Sequence, residues 1–251
     1  MLAIERANDY PSAVANNAGP TPMFKKLAAA FKDLERGRRG SFGNDISTPE
    51  NRRAAMWHFH LFDHAFLRGA WTNLEEIAPD VWRSNQPSPA RIEKYAAMGI
   101  KTILNLRGTP KVSHYLLEEE ACARFGITLV SIALAARAAL PKENYLEVID
   151  TLDRLEKPFV FHCKSGADRA GLVAALYLLH VEGAPLDVAR KQLSFRFLHL
   201  KSTKTGILDH ILDCYEADMA RLGPIPIRDW FADHYDQAAV KAGFKPLWKL
   251  S

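Results

Sequence analysis

The chain is expected to fold as an α/β protein: a mostly parallel central sheet flanked by helices, with helical extensions at both ends. Three observations carry that expectation. Short apolar runs of strand length alternate with helix-length segments from about residue 80 onward, the pattern of strands joined by helical crossovers. Pro, Ser and Gly stand where those helices should start and stop. One stretch, residues 159–172, reads as a strand, a tight loop and a helix in direct succession. With 251 residues, 48% hydrophobic and 25% charged, the chain can bury a substantial core. One domain, residues 77–222, is expected between an N-terminal extension, 1–76, and a C-terminal helical extension, 223–251.

The elements follow in order. Residues 1–21, rich in Asn, Pro and Ala, are expected to be mobile. Phe24 to Leu34 reads as a short helix ended by the Gly- and Arg-rich segment 37–43, and residues 51–76 read as helical and aromatic. Pro79 marks the start of the central domain. Ser88 caps a helix with Pro89 at its first position, and Gly99 ends it. Ile100 to Leu106 is a strand, His114 to Phe125 a helix closed by Gly126, and Ile127 to Ile132 the next strand. Pro141 opens a helix to about Glu156, and Phe159 to His162 is the strand that delivers Cys163. Helices are expected over 169–182, 186–194, roughly 206–221 and 228–241. No internal repeat or low-complexity tract stands out.

The candidate site lies in the strand-loop-helix stretch. Cys163 ends the strand and Arg169 comes six positions later, where the helix begins. The intervening residues, Lys164, Ser165, Gly166, Ala167 and Asp168, can wrap a loop whose backbone N–H groups point inward. Unsatisfied amides and the positive end of a helix dipole then converge into an anion cradle. A thiol at the bottom of such a cradle is favoured as thiolate, its reactive form. Arg169 adds a planar fork that matches two phosphate oxygens. A lone cysteine would be read as buried and inert, but here several residue types coincide in the required context.

At these residues the chain resembles the cysteine-dependent protein tyrosine and dual-specificity phosphatases, whose signature is His-Cys-x5-Arg followed by Ser or Thr. His162, Cys163, Gly166 and Arg169 match. Val81 to Pro87 and Gly99 to Arg107 look like the opening strands of compact, bacterial dual-specificity enzymes, and the resemblance spans roughly residues 75–220. It implies a dual-specificity phosphatase-like fold and hydrolysis of phosphate monoesters through a phosphocysteine on Cys163. Arg169 and the loop residues 164–169 would hold the phosphate, and His162 would orient the nucleophile. Lys164 resembles the loop lysine of the inositol-lipid branch, whose second lysine is replaced here by Ala167.

Two departures from the family pattern matter. The loop expected to carry a general acid, about Ala133 to Glu143, contains no Asp. Asp168 is then the candidate proton donor, with capping of the following helix as its alternative role, and Glu143 is the reserve. Position 170, where the family has a hydroxyl that aids breakdown of the phosphocysteine, is Ala. Slow turnover, or a pseudophosphatase that binds phosphorylated partners, therefore stands as the alternative.

Charge and cysteine content bound the rest. The net charge is +4; residues 22–53 hold eight Lys/Arg against four Asp/Glu, and residues 189–205 hold five basic residues and no acids. Such runs are commonly solvated faces, although the second could rim the site and draw in a phosphorylated anionic substrate. No nucleic-acid-binding module is recognisable. Three scattered cysteines, Cys122, Cys163 and Cys214, do not form a disulfide framework, and a reducing cytoplasm is expected. The first ten residues lack the pattern of a signal peptide. His60 and His64 stand at helical i, i+4 spacing that can hold zinc, but no third ligand is identifiable; neither metal nor cofactor is expected. The segment around them reads as an aromatic amphipathic helix packed on the domain, with membrane-surface association as the alternative. Lys201 to Gly206 reads as the start of a helix capped by threonines, with a second anion site at that helix start as the alternative; it lacks the preceding glycine of a nucleotide-binding loop.

Overall fold

The computed structural model describes residues 43–61, 63 and 71–247. By its internal contacts the chain divides into residues 1–41 and 42–251, and the description concerns the second unit. The expectations for 1–21 and 24–34, most of the 37–43 segment, and His64 lie outside the described residues.

Helix α1 (Pro49–Leu61) precedes the sheet. Strands β1 (Glu75–Ala78) and β2 (Val81–Asn85) form a hairpin, followed by α2 (Pro89–Ala97), β3 (Thr102–Asn105), α3 (Ser113–Phe125) and β4 (Thr128–Ser131). Helix α4 (Lys142–Leu152), strand β5 (Phe159–Cys163) and helices α5 (Asp168–His180) and α6 (Leu186–Arg190) come next. Helices α7 (Ile207–Leu222), α8 (Ile227–Asp233) and α9 (Gln237–Gly243) complete the order. The sheet runs β1-β2-β5-β3-β4, and only the β1–β2 pairing is antiparallel. This is the mostly parallel α/β architecture expected, with helices before and after it.

Strand β5 occupies the middle of the sheet and is buried along its whole length. Its apolar run suits a strand covered on both faces. Helix α5 behind it is buried on two sides. Ala170, Val173, Ala174 and Tyr177 pack with Phe159 and Phe161 of the sheet, while Leu172, Ala175 and Leu176 pack with Tyr145, Leu208, Ile211 and Trp230. The site-bearing loop is therefore clamped between two rigid elements. Helix α1 docks on α3, where His58 Nδ1 lies 2.8 Å from Ser113 Oγ and Arg52 pairs with Glu120.

Two elements differ from the sequence expectation. Of the segment expected to be helical over 51–76, Pro49–Leu61 is helix, Asp63 is a bend, and Glu75–Ala78 is an edge strand. The chain turns back at Pro79-Asp80, with Asp80 at φ 63° and its N–H donating to Glu76 Oε1 at 3.1 Å; Asp is among the residues that tolerate this left-handed conformation. The single helix expected over 228–241 is two, α8 and α9. Asp236 starts the second, its carboxylate accepting from the N–H of Ala238 and Ala239 at 2.7 and 3.1 Å. Capping at Ser88, with Pro89 at the first helical position, and the left-handed Gly126 after α3 are as expected.

Candidate active site

Cys163, 1% exposed, ends β5 opposite Asn85, at the carboxyl edge of the parallel strands where such sheets place ligands. The loop 164–167 then leads directly into α5. Its carbonyls are taken up from outside one after another. Gln86 N–H donates to Lys164 O (3.3 Å), Asn73 Nδ2 to Ser165 O (2.9 Å), and Arg83 to Gly166 O (2.6 Å) and Ala167 O (3.4 Å). Across a planar trans peptide the N–H points opposite to the C=O. Holding these four carbonyls outward thus turns the N–H groups of Ser165, Gly166, Ala167 and Asp168 inward, a nest suited to an anion. Ala167 N–H also meets Ser165 Oγ at 3.3 Å.

Gly166 is required at its position. Its φ is +72°, and an added Cβ would lie 2.8–2.9 Å from Asn73 Cβ, Asn85 N and Ser84 C. No side chain fits between the loop and β2.

Arg83 is the main buttress. It is fully buried on β2, donates to the main chain and side chain of Gln192 at 2.8 and 2.6 Å, and lies 3.6 Å above the Phe197 ring. Burial pushes its pKa down to about 10, opposed by Cys163 and Glu75, so it remains a cation at neutral pH. Asn73, in a left-handed conformation at φ 48°, ties the loop to Phe197 O as well, at 3.0 Å.

Arg169 sits in the first turn of α5, and its guanidinium donates to Leu106 O and Leu134 O at 3.2 and 3.4 Å. Beneath the loop, His162 is completely buried, with Nε2 2.5 Å from Glu118 Oε1. From there a polar chain runs outward. Gln86 donates to Glu118 (2.8 Å) and accepts from Arg107 (2.8 Å), and Arg107 grips both oxygens of Asp63 at 3.1 and 2.9 Å. Lys164 Nζ lies 3.3 Å from the same carboxylate. A residue N-terminal to the sheet is thereby joined to the loop.

Asp168 does not cap α5: no side-chain cap bond forms at that helix start, and Asp168 is its first residue. Its carboxylate instead lies 2.8 Å from His199 Nδ1, while His199 Nε2 lies 2.6 Å from Asp209. Burial disfavours the imidazolium, but the two carboxylates outweigh it and raise the His199 pKa to about 9. Asp168 stands one position past the cap, which is Ala167, and its carboxylate is paired with His199. Glu143 is exposed in the first turn of α4. Ala170 is fully buried.

The basic segment 189–205 is largely neutralised. Arg190 pairs with Asp213 and Glu216, Arg196 with Glu75, and Lys201 with Asp213. Lys204 to Gly206 form a short 3-10 turn into α7, with Thr203 Oγ1 accepting from Thr205 N–H at 3.3 Å. Among the described residues no group of three or more His, Cys, Asp or Glu could hold a metal ion, and no helix is long and apolar enough to cross a membrane.

The sequence reading passed over Asn73, Arg83, Glu118, Asp63 and His199 as parts of the site. Arg83 carried a weak signal, a charge inside a short strand-length run after Val81 and Trp82. The others carry none, since their partners are distant in sequence.

Residues 81–203 match the family model described as "Swiss Army Knife protein, DSP-PTPase phosphatase domain". Among curated proteins no relative matches the chain significantly. Among solved structures it is similar to TpbA of P. aeruginosa (21% identity, 59% of this chain and 91% of that chain, TM-score 0.47). It is likewise similar to the core catalytic domain of the PP-IP phosphatase SIW14 from S. cerevisiae (16%, 68% and 89%, 0.43). A putative phosphatase (DUF442) from Shewanella putrefaciens gives 19%, 62% and 97%, with a TM-score of 0.46. Residues 81–203, with the His162-Cys163-x5-Arg169 loop at the carboxyl edge of the sheet, form a domain of the cysteine-dependent protein tyrosine/dual-specificity phosphatase superfamily.

Proposed function

We propose that this chain hydrolyses phosphate monoesters through a covalent phosphocysteine on Cys163. The observation that carries this reading is the loop whose four consecutive carbonyls are held outward, leaving inward amides above a buried cysteine. Phosphoryl transfer needs chiefly positioning and charge stabilisation, and this arrangement offers both. The Cys163 thiolate attacks phosphorus as the bond to the ester oxygen breaks. The amides of residues 164–169 and the Arg169 guanidinium hold the equatorial oxygens. Water then attacks the phosphocysteine, releasing inorganic phosphate and regenerating the thiolate. His162, fixed against Glu118, orients the strand end that carries the nucleophile.

Asp168 is assigned as proton donor to the leaving oxygen. It stands at the loop's end, with its carboxylate 2.8 Å from His199 Nδ1, and Glu143 is the reserve donor. Substrates are phosphorylated anions of the phosphoprotein, inositol phosphate or lipid phosphate class, and a thiolate enzyme suits a reducing cytoplasm. No cofactor enters the reaction.

Ala170 favours one further reading. Lacking the hydroxyl that the family places there, the site could bind phosphorylated partners without turnover. Phosphate release from an aryl phosphate separates the two. Wild-type protein should turn it over in the presence of a chelator, and Cys163→Ser should abolish release while retaining oxyanion binding. Turnover surviving in Cys163→Ser would remove the cysteine mechanism, whereas binding without turnover by wild type would establish the pseudophosphatase.

A further inference from the structure

Beside Asp168 lies a cavity of about 220 Å³, lined further by Arg137, Lys204, Leu198, Leu200, Thr203 and Thr205. At about 30 Å³ per water it has room for a phosphate group and several carbons. Its two cations are distinctive. The nearby basic residues Arg190, Arg196 and Lys201 are all committed to carboxylates, whereas Arg137 and Lys204 are exposed and have no ion-pair partner among the described residues. The threonine hydroxyls are already occupied, both donating to Leu200 O. Leu198 and Leu200 supply apolar wall, each 43% exposed. The Asp168 carboxylate, which also lines the cavity, is paired with His199 at 2.8 Å. A ligand complementary to this lining carries an anion on a short carbon framework.

We infer that this cavity is a second anion subsite and that the favoured substrate is an organic bisphosphate, with one phosphate over Cys163 and the other between Arg137 and Lys204. The carbon framework joining the two phosphates lies along Leu198 and Leu200. This assignment rests on the phosphatase reading and narrows its substrate class.

The test compares α,ω-alkanediol bisphosphates of two to six carbons with the matching monophosphates, measuring phosphate release. For the best-fitting length, kcat/KM for the bisphosphate should exceed that for the monophosphate by at least about tenfold, or 1.4 kcal/mol. The preference should shrink as salt is raised, because both cations are exposed. Arg137→Ala/Lys204→Ala should abolish the preference, while Lys191→Ala, at an exposed lysine outside the cavity, should keep it. Turnover of monophosphates with no bisphosphate preference at any length, or a preference that survives the double substitution, would overturn the subsite and leave the phosphatase reading standing. If wild type turns over neither series, that reading fails. Calorimetric affinities of the same compounds for wild type and the double variant then decide the subsite, and equal affinity for bis- and monophosphates would overturn it.

Discussion

Replacing Arg83 by Met tests whether the loop is shaped from outside. The substitution keeps a long, flexible side chain in the space but removes every donor. Gly166 O and the main-chain and side-chain oxygens of Gln192 lose their partners at 2.6, 2.8 and 2.6 Å; Ala167 O keeps the N–H of Gly171. Each buried acceptor left unpaired costs roughly 1–3 kcal/mol. Relief of the buried charge returns part of that, giving a net loss of about 2–5 kcal/mol. For a unit of this size the corresponding fall in Tm is roughly 2–4 °C per kcal/mol. The functional effect should be larger than the thermal one. Once Gly166 O is released, the peptide that turns the Ala167 N–H inward is no longer held, and loss of one such donor costs on the order of 10²–10³ in kcat. Calorimetry gives the first quantity; aryl phosphate turnover, measured well below the variant's Tm, gives the second. Arg83→Lys should recover part of both, since one donor can reach one carbonyl. A folded Arg83→Met with kcat/KM within twofold of wild type would refute the idea that this side chain sets the loop's shape.

Gly166→Ala should destabilise by about 2–5 kcal/mol in denaturant unfolding, combining left-handed strain with contacts at 2.8–2.9 Å; a loss below about 1 kcal/mol would contradict the fit described. His199 should titrate by NMR near pH 9 instead of the usual 6.5, and Asp209→Asn should lower the midpoint. Because the folded-state pKa is raised, the stabilisation from this cluster is fully present below about pH 6.5 and is lost as pH rises through about 9. A midpoint below 7 would remove the charged pairing. Ala170→Ser should raise the steady rate on an activated aryl phosphate while leaving a pre-steady-state burst nearly unchanged; no burst and no gain would mean that the missing hydroxyl does not limit turnover.

Much of the site was legible because it is local. Strand β5, the loop and the start of α5 occupy consecutive residues, so the spacing of His162, Cys163, Gly166 and Arg169 announces a strand, a turn and a helix N-terminus in one reading. The capping at Ser88 and the closing Gly126 were legible for the same reason, since a cap is decided within about four residues. The break between α8 and α9 was missed although it too is local, because Asp236 sits inside an otherwise helix-compatible run. Strand β1 was missed because its edge position rests on pairing with β2 across the Pro79-Asp80 turn, while its own composition, Glu-Glu-Ile-Ala, suits a helix equally well.

What the amino-acid sequence determined by itself was the candidate chemistry: a cysteine, a short loop and a guanidinium at fixed covalent spacing, on an alternating α/β chain. What only the tertiary structure decided was which distant groups make that loop a cup and which partner Asp168 takes. Arg83 and Asn73 reach it from more than eighty residues upstream, and His199 from thirty-one residues downstream. Each of these carries the composition of a solvated surface residue. Their roles arise because buried carbonyls and carboxylates must find donors, and which donor lies within 3 Å is settled by how β2, the turn at Phe197 and α7 pack around α5.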